Sequence, residues 1–143
     1  MSSMKLRNAI CTALVVPGLM TSILLAHHSV TKEFDPAKST TIHGVITKME
    51  WMNPHSWIIL KAKSGNGVAT SWHVEIASAT GLLRTRGIRP EDLALAQSCS
   101  MEIWPARDGS RTAYGRTLTF ADGRSLDIHN SLFDPVPPGA SGK

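Results

Sequence analysis

The 143-residue chain has only two cysteines, Cys11 and Cys99, too few for a disulfide framework. Its formal net charge is +4, well short of the basic stripe that a nucleic-acid-binding domain carries. No Gly-x-Ser-x-Gly elbow, Cys-x-x-Cys pair, Gly-rich phosphate loop or His-Glu-x-x-His helix is present, so the familiar hydrolase, thiol-redox, nucleotide and zinc-protease chemistries have no motif here. An enzyme is therefore not the expected reading. There is also no internal repeat and no charge block, and the only long apolar run lies at residues 9–25.

That run follows a basic start at Lys5 and Arg7 and ends at the small residue Ala26, the pattern of an export signal over residues 1–26. Pro17, Gly18, Thr21 and Ser22 interrupt it and argue against a stable membrane helix; a retained anchor of roughly 17 residues is the alternative. Cys11 lacks the small-residue setting of a lipoprotein signal, so no lipid anchor is expected. Cleavage after Ala26 leaves 117 of the 143 residues, enough for one small core. It also removes Lys5 and Arg7 from 15 basic residues set against 11 acidic ones, which lowers the formal charge to +2. Cys99 then stands alone and is expected as a small buried hydrophobe. The expected location is periplasmic or secreted, with no stable membrane insertion after cleavage.

Beyond the cut, residues 27–39 form a polar arm in which Phe34, Asp35 and Pro36 suggest one docking side chain followed by a turn. Residues 40–134 carry a mainly β pattern, and the Pro-, Gly- and Ser-rich residues 135–143 are expected to be a disordered tail. In the first strand, residues 40–51, Ile42, Gly44 and Ile46 share one face, and His43, Val45, Thr47 and Met49 share the other. Gly44 within it suggests a bulge or sharp bend. A turn at Met52, Asn53 and Pro54 leads to a strand over residues 56–63. A Gly65-Asn66-Gly67 turn leads to the next, residues 68–77, where His73 and Glu75 face opposite to Trp72, Val74 and Ile76. Ser78 then caps a short helix that Gly87 ends, Pro90 opens a further helical turn, and strand character returns at 99–106, 112–120 and 125–129. Three strands, a helix and two or three strands is the order of an OB-like barrel, five- or six-stranded, with one short helix between the third and fourth strands. Other small barrels and α+β meanders fit the same pattern.

The series His27-His28-Ser29, Phe34-Asp35-Pro36, Gly44-Val45, Trp51-Met52-Asn53-Pro54-His55, Trp72-His73-Val74-Glu75, Leu82-Leu83-Arg84 to Gly87, Pro105-Ala106-Arg107-Asp108-Gly109-Ser110 and Ala121-Asp122-Gly123-Arg124 resembles the exported bacterial proteins grouped as the DUF6152 family. The resemblance covers nearly all of the chain after the signal. It implies a small periplasmic or secreted domain with no established activity. Two departures stand out: Val30 replaces the aromatic that usually follows His-His-Ser, and residues 94–98 lack a Gly-Asp turn.

The first candidate chemistry is copper binding by His27, His28 and His55. After cleavage at Ala26 the α-amine and imidazole of His27 would chelate a metal as two nitrogens of one residue. A third nitrogen from His28 or His55 would complete the nitrogen-rich set that Cu(II) prefers. Leu24 stands where a small residue is usual, and a cut displaced by one residue would remove this terminus. The plainer reading is that His27 and His28 form a polar linker and His55 bonds within its turn. Met52 is a soft donor near His55, while Met49 and Met101 read as core filler. His43 reads as a partly buried strand residue. The pairs His73/Glu75 and Asp127/His129 each point one way along a strand and are ordinarily solvated surface.

The alternative function is a metal-free accessory barrel of the cell envelope, binding a small ligand or partner protein through Trp57 and Trp104. Those two fall on the more polar phase of their strands, whereas Trp72 reads as core.

Overall fold

The computed structural model describes residues 30–63 and 67–130. The signal at 1–26, His27 and His28, Gly65, Asn66 and the tail at 135–143 lie outside the described residues. The described part of the chain begins with α1 (Val30–Glu33) and continues through β1 (Thr40–Glu50), β2 (Ser56–Lys63), β3 (Ala69–Ile76), α2 (Ala79–Arg86), β4 (Ser98–Pro105), β5 (Thr112–Phe120) and β6 (Ser125–Asp127). Short 3-10 turns lie at Pro36–Lys38 and Pro90–Leu93. Among the described residues no helix is long and apolar enough to cross a membrane.

Antiparallel pairing joins β3 to β2, β2 to β1, β1 to β4 and β4 to β5, and β3 closes onto β5 in parallel. The result is a closed five-stranded barrel with β6 as one extra strand, in the OB-like order with α2 between β3 and β4. Closure pairs the edges that a small open sheet would expose. Alternation along each strand turns Ile46, Ile58, Leu60, Val74, Ile76, Met101, Ile103 and Leu118 inward, where all are buried. Each such side chain contributes roughly 1.5–3 kcal/mol of hydrophobic stabilisation.

The helix follows from its caps. Ser78 is extended and its Oγ accepts the Gly81 N–H at 3.0 Å, while Gly87 at φ +67° turns its amide back to the Leu82 and Leu83 carbonyls. A side chain at that φ is strained, which is why glycine ends the helix. Between the caps Leu82 is fully buried in the main core.

The bulge in β1 does not lie at Gly44. Register against β2 shifts between Ile46 and Lys48, so Thr47 is the extra residue and its hydroxyl bonds the Ile59 carbonyl at 3.1 Å. The bulge reverses the alternation and brings Met49 against the main core, on the same side as Ile46 rather than opposite it. Gly44 serves close approach instead: a Cβ there would sit 2.5 Å from the Lys61 carbonyl oxygen. A second shift, between Glu102 and Ile103 of β4, leaves Arg116 as the extra residue of β5.

Cys99 is buried, and desolvation pushes its thiol up to about 11 from 9.0. The folded state thus retains a proton that the unfolded chain releases first. This contribution to stability is fully present below about pH 9 and is lost as pH rises through 11. At pH 8 a thiol reagent is expected to modify native protein at least roughly tenfold more slowly than urea-unfolded protein. Equal rates would contradict the burial.

Candidate functional site

His55 is positioned by the turn that precedes β2. The Met52 N–H donates to Ser56 Oγ at 3.2 Å, and the Ser56 hydroxyl donates back to the Met52 carbonyl at 3.0 Å. That carbonyl also accepts the Ala79 N–H at 3.0 Å, and Asn53 Oδ1 accepts the Thr80 N–H at 3.1 Å. These bonds tie residues 52–56 to the start of α2, so His55 projects from a fixed backbone with 28% of its side chain exposed. Its Nδ1 meets Oε1 of Glu75, which is itself buried. A carboxylate only accepts, so Nδ1 carries the hydrogen, and in the neutral ring the lone pair lies on Nε2. Such a carboxylate partner fixes the tautomer and orientation of histidines that bind metals.

Glu75 belongs to a row that crosses the barrel. Glu50 pairs with Trp57, Trp57 with Glu75, Glu75 with Tyr114 and Tyr114 with Trp104. The row alternates with the inward residues Ile58, Val74, Ala113 and Ile103, so it lies on the outer face. Even so, Tyr114 is 1% exposed and Trp104 6%.

The arm accounts for those two. Val30 and Phe34 pack with Trp104 and Tyr114 in a second buried cluster, separate from the main core. Phe34 and Trp104 each stack at a tilt on Tyr114 with ring centroids 5.8 Å away. The backbone fastens this contact: Asp35 N–H donates to the Pro105 carbonyl and Arg107 N–H to the Glu33 carbonyl, both at 2.9 Å. Arg107 also pairs with the Asp35 carboxylate at 3.3 Å. From the other direction, the Asn130 N–H donates to the Tyr114 hydroxyl at 2.8 Å. Both ends of the described chain therefore converge on Tyr114, the strand neighbour of Glu75.

Several expected roles change in this setting. Trp104 is buried beneath the arm with the Arg116 guanidinium 4.4 Å over its ring, so it offers no stacking face, contrary to the ligand-binding role expected of it. Trp57 does line a groove of about 440 Å³, together with Lys48, Glu50, His73 and Thr112. His73 is exposed but Glu75 is committed to His55, so the two are not a solvated pair. His43 is exposed rather than partly buried. Asp127 and His129 do meet through Oδ1 and Nδ1, but His129 is buried and the same carboxylate also binds Arg86. Met52 is exposed beside the His55 turn, Trp72 packs against the main core, and Met101 is fully buried in it.

No cluster of three histidine, cysteine, aspartate or glutamate side chains among the described residues has the geometry to hold a metal. His27 and His28 lie outside them. The sequence reading missed Glu75 as the partner of His55 and Tyr114 as the meeting point of the chain ends. One signal was available: the sequence Gly65-Asn66-Gly67 predicts a hairpin, and in the antiparallel β2–β3 pairing residue 56 lies opposite residue 76, which brings His55 to the end of the strand that holds Glu75.

A model of the family of unknown function DUF6152 matches residues 16–115, a span that includes the arm, His55, Glu75, Trp104 and Tyr114. No curated protein and no solved structure matches the chain.

Proposed function

The chain belongs to DUF6152, a family of unknown function, and from the geometry of its outer face we propose an exported barrel that binds Cu(II) between a mature N-terminal His27 and His55. The observation that carries this reading is the convergence of two fixed points. His55 is oriented by Glu75, and Glu75 is the register neighbour of Tyr114, on which Val30 packs. Adjacent strands lie about 4.8 Å apart. His27 precedes Val30 by three residues, a reach of roughly 10 Å. The strand spacing and the short reach from Val30 to His27 support a metal shared with His55.

The donor set suits the metal. The amine and imidazole of His27 supply two nitrogens, and His55 Nε2 supplies a third, with His28 as an additional imidazole; borderline nitrogen donors in this number favour Cu(II). Bound copper would supply a Lewis-acidic, redox-active centre. The protein's part is to hold it: Glu75 fixes the His55 ring, and the Phe34 contact fixes the arm.

Export follows from the signal pattern at residues 1–26, and the metal reading depends on cleavage after Ala26. The test is a Cu(II) titration of protein beginning at His27, of protein carrying one added residue before His27, and of the His55→Ala variant. The first is expected to bind one equivalent, and each of the others to bind at least about tenfold more weakly. Unchanged affinity in both altered forms would overturn the reading. The Trp57 groove supports a second reading, a metal-free barrel that captures an envelope component on that face, and it predicts binding that survives loss of His55.

A further inference from the structure

A groove of about 610 Å³ runs between α2 and the segment after β6, away from the Trp57 groove. Its lining includes Ser78, Thr80, Arg84, Arg86, His129 and Asn130, and no carboxylate is among its described lining residues. We infer that this groove binds a small phosphate-bearing solute through Arg84 and Arg86.

The arrangement is built rather than incidental. Asp127 binds both Arg86 and His129, which fixes the guanidinium and the imidazole relative to each other across the groove. Arg86 is held on α2, with only 20% of its side chain exposed. Its pair with Asp127 uses Nη1, and a guanidinium has five N–H donors in all, so the fork retains donors for a second oxyanion. Arg84 makes no ion pair among the described residues, although Asp92, Asp122 and Asp127 all attract other arginines. It lines the groove beside Thr80, one helical turn earlier on the same face of α2.

Two guanidiniums bordered by hydroxyls match the acceptor-rich, doubly charged surface of a phosphate, which planar N–H forks engage in pairs. The amides at the start of α2 are not the binding element. Ala79, Thr80 and Gly81 donate to Met52, Asn53 and Ser78 respectively. Recognition therefore falls on the side chains. The groove is several times larger than an inorganic phosphate, which leaves room for a small polar group esterified to it.

The experiment titrates inorganic phosphate and glycerol 3-phosphate into the protein at constant ionic strength, with vesicles containing phosphatidic acid as a third arm. Saturable one-to-one binding of both soluble probes is expected. Arg84→Ala should weaken it roughly tenfold, the size of one charge-assisted contact, while Arg84→Lys loses less and Arg89→Ala, outside the groove, loses nothing. Arg84 is exposed, so its variants are expected to fold normally, checked by circular dichroism. Absence of saturation, or equal binding by Arg84→Ala and the parent, would overturn the inference. Binding to the vesicles but to neither soluble phosphate would overturn it as well, in favour of a membrane headgroup.

Discussion

Replacing Phe34 with alanine is expected to lower the free energy of unfolding by about 3–5 kcal/mol and to weaken Cu(II) binding by at least roughly tenfold. Phe34 has no exposed surface, and its ring stacks on Tyr114. Truncation removes that ring from a small cluster whose buried members among the described residues are Val30, Phe34, Trp104 and Tyr114. The remaining fastenings include the backbone hydrogen bonds at Asp35 and Arg107, the Arg107 Nε–H bond to the Thr31 carbonyl at 3.1 Å, and the half-buried Arg107–Asp35 pair. The arm would then be held by these polar contacts and by Val30, without its largest apolar side chain. The barrel has its own core of inward side chains, so it is expected to stay folded while the arm undocks. Urea unfolding measures the first effect and a copper titration the second. A large loss of stability with copper affinity unchanged would show that arm docking and metal binding are separate matters.

Glu75→Gln is expected to weaken copper by about 10- to 100-fold with a much smaller effect on folding. The amide keeps the volume of the side chain and an oxygen able to accept from His55 Nδ1. It removes the negative charge beside the ring, and it admits the flipped orientation in which an NH₂ group faces the imidazole. Glu75→Leu goes further by leaving Nδ1 beside an apolar group. The expected order of affinity is parent, Gln, Leu. Calorimetric titration of the three proteins tests it, and equal affinities would mean that the carboxylate serves only the fold.

The barrel was largely legible because its strands alternate and its helix is punctuated. Ile58 and Leu60, then Val74 and Ile76, declare their faces at a period of two, and Ser78 and Gly87 delimit α2 by cap chemistry that acts over three or four residues. Single-residue insertions were not legible. Nothing in the local pattern marks Thr47 as the extra residue of β1, because Gly44 is the more obvious irregularity, and the resulting change of phase reverses Met49.

The outer face shows a different failure. Period-two reasoning places Glu75 and Trp104 outside the barrel correctly, but the outside of a barrel is not the same as solvent. Trp104 is covered by Val30 and Phe34, about seventy positions earlier in the chain, and Glu75 is approached by the ring of His55. Contacts at such separations are set by how the barrel closes, and hydrophobic periodicity carries no information about them. His55 itself could be singled out from its place beside Asn53 and Pro54, whereas its partner could be found only once the register of β2 against β3 was known.

The central claim is that the N-terminus and His55 bind one metal ion together, and electron paramagnetic resonance of protein beginning at His27 and loaded with one equivalent of Cu(II) tests it most directly. Nitrogen hyperfine coupling from both His27 and His55 is predicted, with the His55 contribution identified by its loss in His55→Ala. A spectrum that is the same in parent and His55→Ala would contradict the claim.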